Sequence, residues 1–254
     1  MYDSNPYGGF DPLGLFPLFK RTADVLAPSL SVVFRRLVLL GSFPACWRQE
    51  NVTLIPKGPP SSSVVNFRPI SITSVLSKVF ERLVSVRLGR FMEISGVLPT
   101  TQFAYRKRLG SVMHFCACGI QCKMQWSGQE ARIVHIDFSA AFERVNHQGI
   151  LDKLCSVGIG GSLLSILTKF LSNRSQHVML DGCRCKLLNV VSGVSQGSVF
   201  GPLLFLLYTS ELFSILENKL IGYADDSILI AVAPSPGVRV NSSRVPEPLP
   251  GQCY

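Results

Sequence analysis

The chain is 254 residues long, 47% apolar and 16% charged, with a mean hydropathy of +0.30, which excludes bulk disorder and allows one large domain or two small ones with a sizeable core. Its 25 Lys and Arg against 16 Asp and Glu give a net charge of +9. Such a surface attracts phosphates and makes nucleic acid the leading partner, against the plainer reading of solubility charge.

In chain order, residues 1–16 are rich in Gly, Pro and aromatics without a period and read as an extended lead-in. Apolar residues recur at helical spacing from Phe19 to Leu40, with Lys20, Arg21, Arg35 and Arg36 on the polar side, predicting one or two helices interrupted near Pro28. Asn51 to Pro56 alternates and reads as a strand, followed by a Gly, Pro and Ser loop from Lys57 to Ser63. Thr73 or Ser74 can cap a basic amphipathic helix to about Met92, with Val75, Leu76, Val79, Phe80, Leu83, Val84 and Leu88 on its apolar face.

Arg132 to Ile136 predicts a buried strand ending on Asp137, with a helix following from about Ala140. Asn146 can cap another helix that stops near Gly158, and Ser162 to Leu171 reads as one more. A hairpin of 176–180 and 183–191 turns on Asp181-Gly182, the pair favoured in type I′ turns. A helix from Val199 to Leu216 tolerates Pro202 in its first turn. Leu220 to Tyr223 and Ser227 to Val232 then form a second hairpin with Asp225 and Asp226 at its tip, and the tail from Pro234 reads as disordered. Helices mixed with hairpins predict an α/β (α+β) class.

Neither 30–40, broken by Arg35 and Arg36, nor 199–216, broken by Glu211, offers the roughly 18 uninterrupted apolar residues of a spanning helix, so no membrane association is expected. Asp3, Asp11 and Lys20 interrupt the N-terminus before any apolar core, which argues against a secretory signal and for eight reduced thiols in an intracellular protein. Cys116, Cys118 and Cys122 near His114, and Cys183 near Cys185, lack the two-residue gap of a zinc knuckle.

Three acidic residues at strand ends stand out in so basic a chain. Carboxylates brought together repel one another, and a hard divalent cation relieves that repulsion. Two such ions would serve an in-line phosphoryl or nucleotidyl transfer. An isolated Asp-Asp pair is more often a polar turn, so the neighbours decide. The run Asp137 to Asn146, the run Gly193 to Pro202, and Tyr223-Ala224-Asp225-Asp226 resemble, in order and spacing, the palm motifs of reverse transcriptases. The likeness is closest to non-long-terminal-repeat, LINE-type retrotransposons of the jockey kind. Trp47 to Lys57, Asn66 to Ile72 and Gln102 to Lys107 are similar to the matching fingers segments, and the resemblance covers about residues 7 to 240.

That resemblance implies a right-hand polymerase fold with fingers at 45–130 and a palm at 131–233, whose antiparallel sheet is backed by helices. An N-terminal extension at 1–44 would precede them, and a divergent tail at 234–254 would stand where the thumb is expected. It implies RNA-directed DNA polymerase activity on template RNA, DNA primer and deoxynucleoside triphosphate, with two Mg²⁺ ions, or Mn²⁺ in their place. Asp137 and Asp225 would hold the ions and Asp226 would complete the cluster. Phe138 and Phe142 would line the nucleotide, Phe142 as the aromatic gate that clashes with a ribose 2′-OH. Gln196 and Gly197 would line the nucleotide and template pair, and Arg68 and Lys57 would lie near triphosphate or template. Taken without their neighbours, Phe142 reads as a core aromatic, Gln196 as a surface turn residue, and Arg106, Lys107 and Arg108 as a solvated charge cluster. The functional reading of those three basic residues is tracking of the template backbone.

Four positions depart from the usual pattern: Ser195 for Pro, expected to loosen the turn before Gln196; Phe200 for Leu; and Ala140 and Glu143 for Lys and Asp. The stretch 110–126 loses the likeness, as a short frame shift would make it. The rival reading is a basic RNA-binding remnant without turnover, and a third is a chain that does not fold. No protein partner is implied, and nucleus or cytoplasmic ribonucleoprotein are both compatible locations.

Overall fold

The computed structural model describes residues 15–58, 66–106, 109–110, 130–180, 183–216 and 220–233. The lead-in to residue 14, the stretch 111–129 with its cysteines and His114, the Asp181-Gly182 turn and the tail from 234 lie outside the described residues.

Helix α1 (Leu15–Arg21) and helix α2 (Ala23–Leu39) are separated at Thr22, and Pro28 lies inside α2. The break therefore falls six residues before the expected site, and the proline is absorbed with the loss of one helical N–H. Only Phe34 of α2 is buried, while Val25, Val32 and Leu39 are exposed. After a 3-10 turn (Ala45–Trp47), β1 (Gln49–Pro56) pairs antiparallel with β2 (Phe67–Ile72).

Helix α3 (Val75–Ile94) starts at Ser74 as expected, although no side-chain oxygen caps it. Its buried stripe is Ser77, Phe80, Glu81, Val84, Leu88 and Met92, whereas Val79 and Leu83 are exposed. The apolar face read from the sequence is thus rotated, because a buried carboxylate takes a position that hydrophobicity assigns to solvent.

Strand β3 (Glu130–Asp137) ends on Asp137 as expected, but Ile133 and Val134 are exposed. No helix follows at Ala140. That residue adopts a φ of +54°, which a right-handed helix excludes. The carbonyls of Phe142 and Val145 instead accept from the N–H groups of Val194 (2.8 Å) and Gly193 (2.7 Å). Helix α4 (His147–Ser156) is capped by Asn146, whose side chain accepts from the Gly149 N–H at 2.9 Å. Helix α5 (Gly161–Leu171) leads into β4 (Arg174–Leu180), β5 (Cys183–Arg184) and β6 (Leu188–Val190). Helix α6 (Phe200–Ile215) precedes β7 (Leu220–Tyr223) and β8 (Asp226–Ala233).

Two sheets result. The first runs β2-β1-β4-β5 with β6 also on β4, and β1 and β4 are parallel, so it joins strands from both halves of the chain. The second is antiparallel, β3-β8-β7. The main core is helical, with Phe80, Leu88, Ile166, Phe170, Phe200 and Leu204 at its centre. Phe200 meets Phe170 edge-on at 5.1 Å, so the larger ring is used in packing. Among the described residues, no helix is long and apolar enough to cross a membrane.

Candidate active site

Strand pairing sets the carboxylates. Asp137 is the register partner of Asp226, which also pairs with Tyr223. Directly opposed residues of an antiparallel pair share a face and have Cα atoms about 4.5–5.5 Å apart. Asp137 and Asp226 therefore project from one face at the open end of the sheet, both exposed, while Asp225 stands in the two-residue turn and is half-buried. Behind the opposite face, the ring of Phe213 in α6 comes so close to Gly222 that an added Cβ would lie 2.6 Å from it. Two like charges on paired strands are unfavourable unless something positive joins them.

The segment after β3 and the segment before α6 are laced together beside this end. In addition to the two backbone bonds at Gly193 and Val194, the His147 Nε2 lies 2.6 Å from the Gly193 carbonyl, and Ser192 Oγ donates to the Glu143 carbonyl at 3.2 Å. A Cβ at Gly193 would meet that carbonyl at 2.6 Å, so only glycine permits the approach. Gln196 Nε2 donates to Glu143 Oε1 at 3.4 Å, and the Gln196 carbonyl accepts from the Ser71 N–H at 2.7 Å. Gly197 has a φ of +127° and passes so close to the Ser71 carbonyl that a side chain is barred. The Gln196-Gly197 turn is thereby seated on β2.

Ser195 is not a loosening substitution. Its hydroxyl donates to Glu50, which forms a buried ion pair with Arg174. Both charged residues are 2% exposed. Arg174 Nη1 also donates to the Phe170 carbonyl at 2.8 Å, and its guanidinium lies over the Phe170 ring. Burial, with the nearby Arg48 charge, lowers its pKa to about 10, so it stays charged at neutral pH. Glu81 is a second buried carboxylate: it accepts from the N–H groups of Val199 (2.7 Å) and Phe200 (3.1 Å) at the start of α6, and from Ser77 Oγ at 2.7 Å. Burial pushes its pKa up, against the pull of those bonds and of Lys78.

Phe142 is 8% exposed and stacks on Phe205 at 4.3 Å. The exposed ring at this place is Tyr105, 59% exposed, whose edge meets Phe142 at 6.4 Å. Tyr105 has a φ of +56°. Partial burial raises its phenol pKa, and the Asp225 carboxylate and Tyr223 push it further. Sequence patterning assigns Tyr105 no role; its sole signal is membership of a fingers-like segment. Phe138 is exposed immediately after Asp137, where β3 has ended. Arg68 is exposed on β2, opposite Ile55, and the exposed Lys57 follows β1, its N–H bonded to the Asn66 carbonyl.

Arg106 is not available for template tracking. Its guanidinium makes a two-pronged contact with Glu93, at 2.7 and 2.5 Å, and donates to the carbonyls of Pro99 (2.5 Å) and Gln102 (3.0 Å). Lys107 and Arg108 lie outside the described residues.

No group of three or more His, Cys, Asp or Glu side chains is placed to hold a metal ion among the described residues, and the exposed, free Cys183 and Cys185 form no such group. The facing Asp137 and Asp226 nevertheless present hard oxygen donors, and Mg²⁺ is commonly held by one or two carboxylates with waters and substrate phosphates filling its other positions. The donor set fits such an ion as a pair.

Residues 55–241 match the family model described as reverse transcriptase (RNA-dependent DNA polymerase). The chain is 32% identical over 185 residues to the probable RNA-directed DNA polymerase from transposon X-element of Drosophila melanogaster, covering 72% of this chain and 20% of that protein. It is 29% identical over 221 residues to the RNA-directed DNA polymerase from mobile element jockey of the same organism, covering 81% and 24%. It thus spans about a fifth to a quarter of the length of these curated relatives. Among solved structures, telomerase from Candida tropicalis in complex with a TWJ fragment of telomeric RNA superposes with a TM-score of 0.52 at 11% identity, over 82% of this chain and 40% of that one. That likeness assigns the mixed α/β architecture to the right-hand polymerase fold.

Proposed function

The chain belongs to the reverse transcriptase family, its sequence being of the non-long-terminal-repeat retrotransposon kind, and we propose that it carries the nucleotidyl-transfer site of an RNA-directed DNA polymerase. The observation that carries this reading is the register pairing of Asp137 with Asp226 on one sheet face, with Asp225 in the adjoining turn. Template RNA, a DNA primer and deoxynucleoside triphosphate are the partners that suit a basic chain of this family.

Asp137 and Asp226 would hold divalent metal, Mg²⁺ or Mn²⁺, with Asp225 adding its charge from the adjoining turn. When bound, such ions lower the pKa of a primer 3′-hydroxyl and neutralise charge on the triphosphate. The chain's own residues orient the reactants. The Gln196-Gly197 turn, seated on β2 through Ser71, offers an amide and a close backbone beside the segment after β3. Phe142, backed by Phe205 and flanked by Tyr105, forms an aromatic wall whose exposed ring is Tyr105. A wall of this kind excludes a hydroxyl by volume, which favours deoxynucleotides. Arg68, exposed on the same strand as Ser71, would meet phosphate.

Primer extension tests the reading, using an RNA template annealed to a DNA primer, deoxynucleotides and Mg²⁺. The parent chain should extend the primer, and an Asp225→Ala, Asp226→Ala variant should lose more than about 100-fold, since removing ligands exceeds the cost of removing their supports. RNA binding with no extension by the parent would leave a nucleic-acid-binding protein and overturn the catalytic assignment.

A further inference from the structure

The turn that bears Asp225 contains an oddity that strand pairing does not explain. Ala224 has a φ of +60°, a left-handed conformation that costs an L-residue roughly 1–2 kcal/mol. Two-residue hairpin turns normally place Gly, Asn or Asp at such positions. A strained residue persists only where its surroundings over-determine it.

The surroundings are supplied by one side chain from 122 positions away in sequence. Gln102 is 1% exposed. Its Nε2 donates to the Ala224 carbonyl at 3.3 Å, and its Oε1 accepts from the Ala224 N–H at 3.1 Å. The same oxygen accepts from the Ala104 N–H at 3.1 Å. A single amide therefore brackets the peptide groups on both sides of the strained residue. The bracket is itself fixed: Phe103 N–H donates to the Gly222 carbonyl and Gly222 N–H to the Thr101 carbonyl, both at 2.9 Å, while Arg106 holds the Gln102 carbonyl.

We propose that Gln102 is a positioning residue for the acidic turn, setting the hairpin register that keeps Asp226 opposite Asp137. Slipping an antiparallel pair by one residue turns every side chain to the other face. Here a slip would carry Asp226 away from Asp137 and expose Ser227, which is now buried. Gly222 is required by the same contact, since a Cβ there would lie 2.9 Å from Gln102 Nε2. A neutral amide suits the task. A charged side chain at 102 would add its own field beside carboxylates whose charge must be met by a cation.

This inference rests on the carboxylates binding divalent metal, so Mn²⁺ affinity is read directly, by the electron paramagnetic resonance of free Mn²⁺, alongside primer extension. Four chains are compared: parent, Asp225→Ala, Gln102→Met, and Gln102→Met with Ala224→Gly. Gln102→Met should weaken Mn²⁺ binding by roughly 10- to 100-fold, the usual effect of removing a residue that orients ligands. Glycine at 224 adopts the left-handed turn unaided, so the double variant should regain much of that loss. Mn²⁺ affinity of Gln102→Met equal to the parent's, or a loss that glycine does not relieve, overturns the inference and leaves the metal reading standing. A Gln102→Met chain that unfolds while the double variant folds supports it; failure of both to fold overturns it. A parent that binds no Mn²⁺ and extends no primer defeats the metal reading itself, and the positioning role with it.

Discussion

The turn around Ser195 and the turn at 224–225 are both gripped by a buried polar side chain from a distant part of the chain, but the grips differ in kind. At Ser195 the grip is a carboxylate, Glu50, whose charge is balanced by Arg174. At Ala224 it is the uncharged amide of Gln102. The charged grip sits within the larger sheet, between β1 and β4, where a complete pair keeps its desolvation cost offset. The neutral grip holds the backbone of Ala224, the residue before Asp225, where an added charge would act on the neighbouring carboxylate. Support for a turn therefore follows the electrostatics of what the turn carries, as well as the geometry it needs.

The largest effect should come from breaking the charged grip. Glu50→Ala leaves Arg174 buried without its partner and should cost about 3–5 kcal/mol, read by denaturant unfolding. Glu50→Met with Arg174→Met removes both charges and should recover most of that loss. A double variant as unstable as the single one would show that packing, and not charge balance, holds this turn.

Glu81 sharpens the comparison, being a buried carboxylate that grips the start of α6 with Lys78 as its nearby positive charge. Its pKa is raised above 4.5 in the folded chain, so the folded state retains a proton that the unfolded state has released. Stability should fall as pH rises from 4.5 through the raised value and level off beyond it. Glu81→Gln keeps an acceptor for Val199 and Phe200 and should flatten that slope, measured by melting temperature against pH. An unchanged slope would place the titrating group elsewhere.

The smallest effect on stability belongs to Tyr105. Its ring is largely exposed, so Tyr105→Ala should shift stability by no more than about 0.5 kcal/mol. The KM for deoxynucleotide should rise severalfold with little loss of kcat. Unchanged nucleotide kinetics would reduce the aromatic wall to Phe142 alone.

Much of the local structure was legible. Asn146 as a cap, the start of α3 at Ser74 and the strand ending on Asp137 follow from short-range chemistry that the sequence displays. The acidic pair at a hairpin tip was legible for the same reason. Less so were Glu81 on a buried helix face, Ala140 in a left-handed turn, and Arg106 spent on Glu93 and two carbonyls. Each depends on partners that periodicity cannot see: the first amides of α6, the 193–194 segment, and a glutamate on the preceding helix.

The sequence by itself determined the family, the order of the acidic motifs and most helices and strands, because spacing and turn chemistry act over a few residues. Only the tertiary structure decided that Asp226 faces Asp137, that Tyr105 is the exposed ring beside Phe142, and that one amide at position 102 holds the turn at 224–225. Those are properties of register and of contacts between segments far apart in sequence, where a side chain's role is set by what the fold brings to it.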